Sequence, residues 1–318
     1  MISRITPYLP LSVRNITAKQ NILPKYGLKQ DTVSFSGKKN EPSHLSPTAE
    51  KALSVQSKLH KLYRTNRLST ETIEEVLNKQ SPVPVEVIDI KNLPDVFTNA
   101  KNCQAYMQPI YGQDLKLKSA KIFINPYFKD KRTASGIIAD TVHEFTHVLQ
   151  RERDNDYVGL AKFTGNLEEA RFLNFIASNT MRDMEKTIFN TLNTKTKFLD
   201  IVNKKSKTLT PLTKDDVKPF LEGKEKLSET LEGLLNANFQ NTMEQYQIPK
   251  KYSGEYNFFY LKAKPTLKNS VIRQFEMESE AKSAETEARK NGLLFDAQAI
   301  FGHSLNKSVY DAFLEIMK

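Results

Sequence analysis

The feature of this chain that most constrains its structure is a helix-like segment carrying two histidines one turn apart. Residues 133–151 read TASGIIADTVHEFTHVLQR. Apolar residues spaced four, three and four positions apart predict one buried helix face, and they are Ile138, Val142, Phe145 and Leu149. His143 and His147 lie on a different face, and residues four apart on a helix project from the same side. Both imidazoles can therefore reach one metal ion.

Glu144 lies between these histidines and completes the pattern HEFTH. A carboxylate beside two metal-binding imidazoles points toward a bound water and can take its proton. Two of the five histidines of the chain fall in this pattern. The alternative is that both are ordinary solvent-facing helix residues. The position of the pattern on a predicted helix, just after a strand-like run ending in INP, favours metal binding.

The composition disfavours several other kinds of chemistry. Cys103 is the single cysteine, so the chain has no internal disulfide and no CxxC clamp, and a transition metal must be held by histidine and carboxylate. Neither GxGxxG nor a GxxxxGK loop is present, which disfavours a nucleotide-driven enzyme. No apolar run reaches the roughly 18–20 residues of a spanning helix, so we expect no membrane span.

The formal net charge of +10 is unevenly distributed. Residues 1–45 carry +5, and the much longer remainder carries the other +5. So small a net positive charge on residues 46–318 disfavours nucleic-acid binding. We expect residues 1–45 to form a basic, disordered tail and residues 46–318 to form one domain. The start of the chain lacks the pattern of a secretory signal peptide, so we expect a cytoplasmic protein or one secreted without a classical signal.

Apolar spacing predicts a few strands followed by many helices. The chain reads as helical up to about residue 79 with a break near 65–68, and then as strands at 83–90, 104–110 and 120–125. Helices are expected at 133–151, 167–192, 222–245, 272–290 and 307–317. The Lys/Thr-rich residues 194–218 are expected to be a surface connection. This order predicts an α+β fold.

Some residues are expected to serve structure alone. The aromatic run YNFFY at 256–260 is typical of a core, and Cys103 of a small buried apolar residue. His60 is expected on the solvent side of its helix. Asp140, one turn before His143, is expected on an exposed helix face, with a role as partner of a metal ligand as the alternative.

HEFTHVLQ resembles the zinc-binding helix of the zincin metallopeptidases, and AKIFINP resembles the zincin strand that follows the cleft and pairs with an extended substrate. The resemblance covers residues 119–151. It implies a zincin-like fold, with a small sheet and the HExxH helix followed by a mostly helical C-terminal part, and one zinc ion per chain. The metzincin subclass is excluded, because Gln150 and Arg153 stand where it has glycine and its third histidine.

A catalytic zinc takes three protein ligands and keeps one position open for water. Resemblance to the gluzincin type implies that a glutamate from a later helix is the third ligand. Our preferred candidate is Glu278 in the sequence ESEA, where the small Ala281 would let that helix approach closely. Glu285, two turns beyond Glu278 on the same face, is an alternative ligand. Both glutamates could instead belong to an ordinary solvated helix face.

Glu168 and Glu169 in NLEEARFLN are further alternatives. Their distance from His147 is similar to that of the third ligand in thermolysin-like enzymes. Leu173 stands where those enzymes have aspartate, which weakens the match.

The resemblance implies hydrolysis of a peptide or protein substrate. His143, His147 and Glu278 would hold the zinc, and Glu144 would take a proton from water and pass it to the leaving amine. Candidates for stabilising the oxyanion are Tyr252, Tyr256, Tyr260 and His303. A function of a different class, a catalytically silent zincin-like binding module, is the alternative.

Overall fold

The computed structural model describes residues 45–90, 104–125, 134–154, 159–292 and 297–318. Cys103 and the expected tail up to residue 44 lie outside these residues. Within them, the chain has one small three-stranded sheet and many helices, which is a mixed, mostly helical α+β fold.

Three short helices come first among the described residues: α1 (Pro47–Leu53), α2 (Gln56–Arg64) and α3 (Thr70–Asn78). The predicted break at 65–68 is confirmed. Asn66 adopts a positive φ of 55° there, a conformation that asparagine tolerates better than most residues. Ser69 then starts α3 with a capping box, in which its hydroxyl accepts from the backbone N–H of Thr72.

The three predicted strands are confirmed with shifted ends, as β1 (Val85–Asp89), β2 (Ala105–Tyr111) and β3 (Leu117–Ile124). Their order is β1-β3-β2, with β3 parallel to β1 and antiparallel to β2. The expectation that the AKIFINP strand pairs with a substrate is therefore wrong for β3, because strands occupy both of its edges. Its near-continuous buried apolar run, from Ala120 to Ile124, is typical of a central strand.

Helix α4 (Ala134–Asp154) carries the HEFTH pattern and covers the sheet. The predicted apolar stripe is buried along its whole length, and Val142 and Phe145 are fully inaccessible. The stripe joins residues of β1 and β3, such as Val87 and Ile122, in one apolar cluster. This packing fixes α4 on the sheet, so that its histidine face turns toward the helical part of the chain.

The other helices of the described residues form a second apolar cluster. They are α5 (Leu160–Thr164), α6 (Leu167–Asn193), α7 (Thr196–Thr208), α8 (Lys214–Val217), α9 (Lys224–Gln245), α10 (Ser253–Lys290) and α11 (Ala297–Met317). The predicted helices at 167–192 and 222–245 correspond to α6 and α9. Aromatic side chains fill this cluster, and Phe275 on α10 contacts Tyr310 and Phe313 on α11.

Two predicted helices are longer than expected. Helix α10 begins at Ser253 and not at residue 272, and it continues through Pro265. Proline in a helix interior removes one backbone hydrogen bond, a cost of about 3 kcal/mol. Ala263, Leu267 and Val271 are fully buried on either side of it, and their packing holds the helix together. Helix α11 likewise begins at Ala297 and not at residue 307.

The surface location predicted for residues 194–218 is confirmed, since most of them are exposed, but the segment is not a plain connection, because α7 and α8 lie there. Phe198 anchors α7 by packing against Phe220, with ring centroids 5.4 Å apart. Lysine is a good helix former, so one buried aromatic residue is enough to fix a helix whose other residues are mostly polar.

The expectation for His60 is also wrong, because its side chain is buried on α2 and burial lowers its pKa. None of the helices in the described ranges is both long enough and apolar enough to cross a membrane.

Candidate metal centre

Helices α4 and α10 pack against each other and bring two distant parts of the sequence together. The α10 face that meets α4 is lined by small residues, and Ala281, Ala284 and Ala288 are all buried. Small side chains let two helices approach closely, as the ESEA pattern predicted. Glu278 therefore faces the histidines of α4 from across the helix contact.

His143, His147 and Glu278 form a group that could hold a metal ion, with one ligand atom from each lying within 4.8 Å of the others. The two Nε2 atoms are 3.1 Å apart. Glu278 places Oε2 3.5 Å from Nε2 of His143 and Oε1 3.3 Å from Nε2 of His147. When zinc binds nitrogen and oxygen ligands in a tetrahedron, neighbouring ligand atoms lie about 3.3–3.4 Å apart. The three separations are close to that size, with Glu278 facing the two rings through different oxygen atoms.

The other ring nitrogens of the histidines face oxygen atoms. Nδ1 of His147 is 2.8 Å from Oε1 of Gln150, and Nδ1 of His143 is 3.1 Å from Oε2 of Glu285. The contact with Gln150 favours a proton on Nδ1 of His147 and a lone pair on its Nε2. Nδ1 of His143 lies near the Glu285 carboxylate but forms no hydrogen bond of good geometry with it. Two ring nitrogens and a carboxylate thus converge on one point, an arrangement that needs positive charge there, either a metal ion or a proton held by His143. The donor set therefore fits a metal ion.

The electrostatic environment of His143 also favours positive charge. Burial and the nearby Lys282 ammonium lower the pKa of His143, but the carboxylates of Glu278 and Glu285 outweigh them and raise the pKa to about 10. Burial opposes ionisation of Glu278, yet His147 and His143 hold its pKa well below the ordinary value. In this site Glu278 is a carboxylate ready to accept a cation.

Glu144 is 8% exposed and borders this group. Burial raises its pKa, while His143 and His147 lower it and Glu278 raises it further. In the part of the chain that the structure describes, its carboxylate has no hydrogen-bond partner. A buried carboxylate that is committed to no other group can exchange a proton with a molecule bound beside it.

The structure does not bring Glu168 and Glu169 to the metal group. Glu168 pairs with Arg171 at 2.7 Å in the first turn of α6, and Glu169 lies near Tyr256. Tyr256 is 22 positions before Glu278 on α10, or about 33 Å of helix at 1.5 Å per residue. These two alternatives for the third ligand are therefore wrong. Glu285 contacts Nδ1 of His143 and not Nε2. It therefore lies where a group that orients the ligand His143 would lie, and not where a third ligand would lie.

The tyrosine candidates for oxyanion stabilisation are also wrong. Tyr260 stacks on Phe239 with ring centroids 4.2 Å apart, and its hydroxyl donates to Asn236 at 2.7 Å. Tyr256 packs edge-on against Phe172 in the same core. Both belong to the helical core, as expected, but Phe258 of the same aromatic run is 61% exposed, so the expectation holds for only part of the run. Tyr252 precedes them at the far end of α10.

His303 does lie near the metal group, but both of its ring nitrogens are engaged. Nε2 is 3.1 Å from Oε1 of Glu285, and Nδ1 is 3.3 Å from Nζ of Lys282. Burial lowers the pKa of His303 to about 3, so the ring is neutral at physiological pH. His303 is therefore a partner of Glu285 and not a free donor.

Sequence reasoning missed a buried charged network behind His143. Asp140 is buried and accepts from Arg289 at 2.8 Å, so the expectation of an exposed aspartate is wrong. Arg289 also donates to Glu285, and so does Lys282 at 2.8 Å. The only sequence signal was the run of charges on α10, which is equally typical of a solvated helix face.

A polar cavity of about 360 Å³ is lined by residues of α1, α4, α10 and α11 and by Ser46. Its lining includes Ser46, Arg153, Arg273, Glu276 and Glu280, but none of the three metal-group residues. The arginines are already paired, since Arg273 binds Asp154 and Glu276, and Arg153 binds Asp154 and Glu280.

Comparisons with protein-family models, curated proteins and solved structures found no match for this chain. The geometry of His143, His147 and Glu278 therefore carries the functional proposal that follows.

Proposed function

We propose that this chain is a zinc-dependent metallopeptidase of the zincin type, with a gluzincin-like ligand set. The observation that carries the proposal is the convergence of His143, His147 and Glu278 at separations of 3.1–3.5 Å beside Glu144. Two imidazoles and one carboxylate form the ligand set typical of catalytic zinc in thermolysin and carboxypeptidase A. Only Glu278, among the four glutamates considered for the third ligand, faces both Nε2 atoms.

A zinc ion held by these residues would supply Lewis acidity, which makes water more acidic and polarises a carbonyl group. Glu144 would take the proton of the attacking water on its carboxylate. It would return this proton to the amine nitrogen as the peptide C–N bond breaks, so it acts first as base and then as acid. Burial favours the protonated state that Glu144 must adopt between these steps.

The experiment compares zinc-loaded wild type with Glu144→Gln on a mixture of denatured proteins, with new N-termini identified by mass spectrometry. We expect wild type to produce new termini and the variant to lose about 10²–10⁴-fold in rate, the range for a general base. Glu152→Gln, an exposed change on the same helix, is the matched control and should keep wild-type activity.

Cleavage by Glu144→Gln at the wild-type rate would refute the mechanism. Bound zinc in wild type without any cleavage would favour the silent binding module.

A further inference from the structure

Gln150 is fully buried on α4, less than one turn after His147. Its side-chain nitrogen Nε2 donates to the backbone carbonyl of Met277 at 2.9 Å and to Oε2 of Glu280 at 2.7 Å. Both of these partners are acceptors and cannot donate. The amide must therefore turn its NH₂ group toward α10 and its oxygen toward His147.

This orientation determines the state of His147. Oε1 of Gln150 is 2.8 Å from Nδ1 of His147, and an amide oxygen only accepts. Nδ1 must carry the proton for this contact to be a hydrogen bond. The neutral ring then has its lone pair on Nε2, the atom that faces His143 and Glu278.

Glu280 is in turn held by groups outside the metal site. Arg153 donates to Oε1 at 3.2 Å, and the hydroxyl of Ser46, at the N-terminus of α1, also donates to Oε1. These donors hold the Glu280 side chain in place, and its Oε2 accepts from Gln150 and also lies 3.4 Å from the same Arg153 nitrogen. A hydrogen-bonded chain thus runs from the cavity through Glu280 and Gln150 to His147.

We propose that Gln150 and Glu280 are positioning residues that fix the tautomer and the ring orientation of His147. The proposal rests on the proposed function in that it takes His147 to be a metal ligand. Partners of this kind typically change metal affinity 10–100-fold when they are removed. The pair has no counterpart on His143, whose Nδ1 faces a carboxylate directly.

The experiment uses the full chain with Gln150→Met, which keeps the length of the side chain but removes the acceptor. Glu280→Gln is the second variant, since an amide there can also donate, which leaves the Met277 carbonyl as the one partner that can only accept from Gln150. Glu276→Gln is the matched control, because Glu276 borders the same cavity from α10 but bonds to Arg273 and Lys318. Two quantities are measured: the zinc dissociation constant by chelator competition, and the His147 tautomer in metal-free protein by ¹⁵N NMR near pH 8.

We expect Gln150→Met to raise the zinc dissociation constant about 10–100-fold. Metal-free wild type should show the Nδ1–H tautomer at His147, and Gln150→Met should lose it. Glu280→Gln should give a smaller change in the same direction. If Gln150→Met does not fold, the tautomer and zinc affinity of Glu280→Gln test the proposal. Glu276→Gln should match wild type in both measurements.

An unchanged His147 tautomer in the folded variants would overturn the proposal, whether or not zinc binds more weakly, since weaker binding alone would then be structural. A wild-type ring without a proton on Nδ1 would overturn it as well. Failure of wild type to bind zinc would instead refute the proposed function, while the tautomer measurement would still decide the roles of Gln150 and Glu280.

Discussion

Nδ1 of His143 lies 3.1 Å from Oε2 of Glu285, a carboxylate whose side chain is 2% exposed. Lys282, Arg289 and His303 surround the same carboxylate. Burial alone would raise the pKa of Glu285, but Lys282 first, then His143 and His303, hold it well below its ordinary value. Glu285 therefore stays ionised inside the protein and presents a fixed negative charge to His143.

Replacing Glu285 by Gln should destabilise the protein as well as weaken metal binding. Lys282 and Arg289 would lose a charged partner in a buried site, which typically costs about 3–5 kcal/mol. Urea denaturation of metal-free protein measures this loss in the free energy of unfolding. Glu287→Gln, which removes a carboxylate paired only with Lys290, should cost far less. Equal free energies of unfolding for the two variants would show that the charged network around Glu285 contributes no more to stability than the Glu287–Lys290 pair does.

Glu278→Ala should abolish tight metal binding, and Glu169→Ala should leave it unchanged. Removal of a direct ligand should exceed the roughly 10–100-fold loss typical of partners that only orient ligands. The zinc dissociation constant, measured by chelator competition, checks both variants. A loss of affinity in Glu169→Ala with none in Glu278→Ala would transfer the third-ligand role to α6.

Asp216 should make a pH-dependent contribution to stability. Burial alone would raise its pKa, but hydrogen bonds from Lys205 and Thr213 outweigh it and lower the pKa in the folded state. A carboxyl group whose pKa falls on folding stabilises the protein above its unfolded pKa of about 3.9, and the stabilisation disappears as the pH falls through the folded value.

The difference in thermal stability between wild type and Asp216→Asn should therefore be largest near neutral pH and should shrink below about pH 4. The neighbouring Asp215→Asn, an exposed position, is the control and should show a weaker pH dependence. A difference that grows toward low pH would contradict the sign of the pKa shift.

Local sequence spacing was sufficient to predict α4 and the face of α10 that meets it. The apolar stripe through Val142 and Phe145 has the helical period, and it is buried as that period requires. The small Ala281 after Glu278 indicated where a second helix could come close. Each signal consists of residues that lie within a few positions of one another in the sequence.

The partners that orient the histidines could not be predicted in this way. Gln150 and Glu280 are 130 positions apart, and Asp140 and Arg289 are 149 apart. No local period connects such residues, because their contact depends on how two helices dock. The central place of β3 depends in the same way on where β1 and β2 pair.

The most direct test of the account is the metal content of purified wild-type protein after dialysis against metal-free buffer without a strong chelator. Inductively coupled plasma mass spectrometry should find close to one zinc per chain, and a His143→Ala, His147→Ala double variant should retain none. Wild-type protein that is folded but neither retains zinc nor takes it up at stoichiometric concentration would contradict the metal centre on which the proposed function depends.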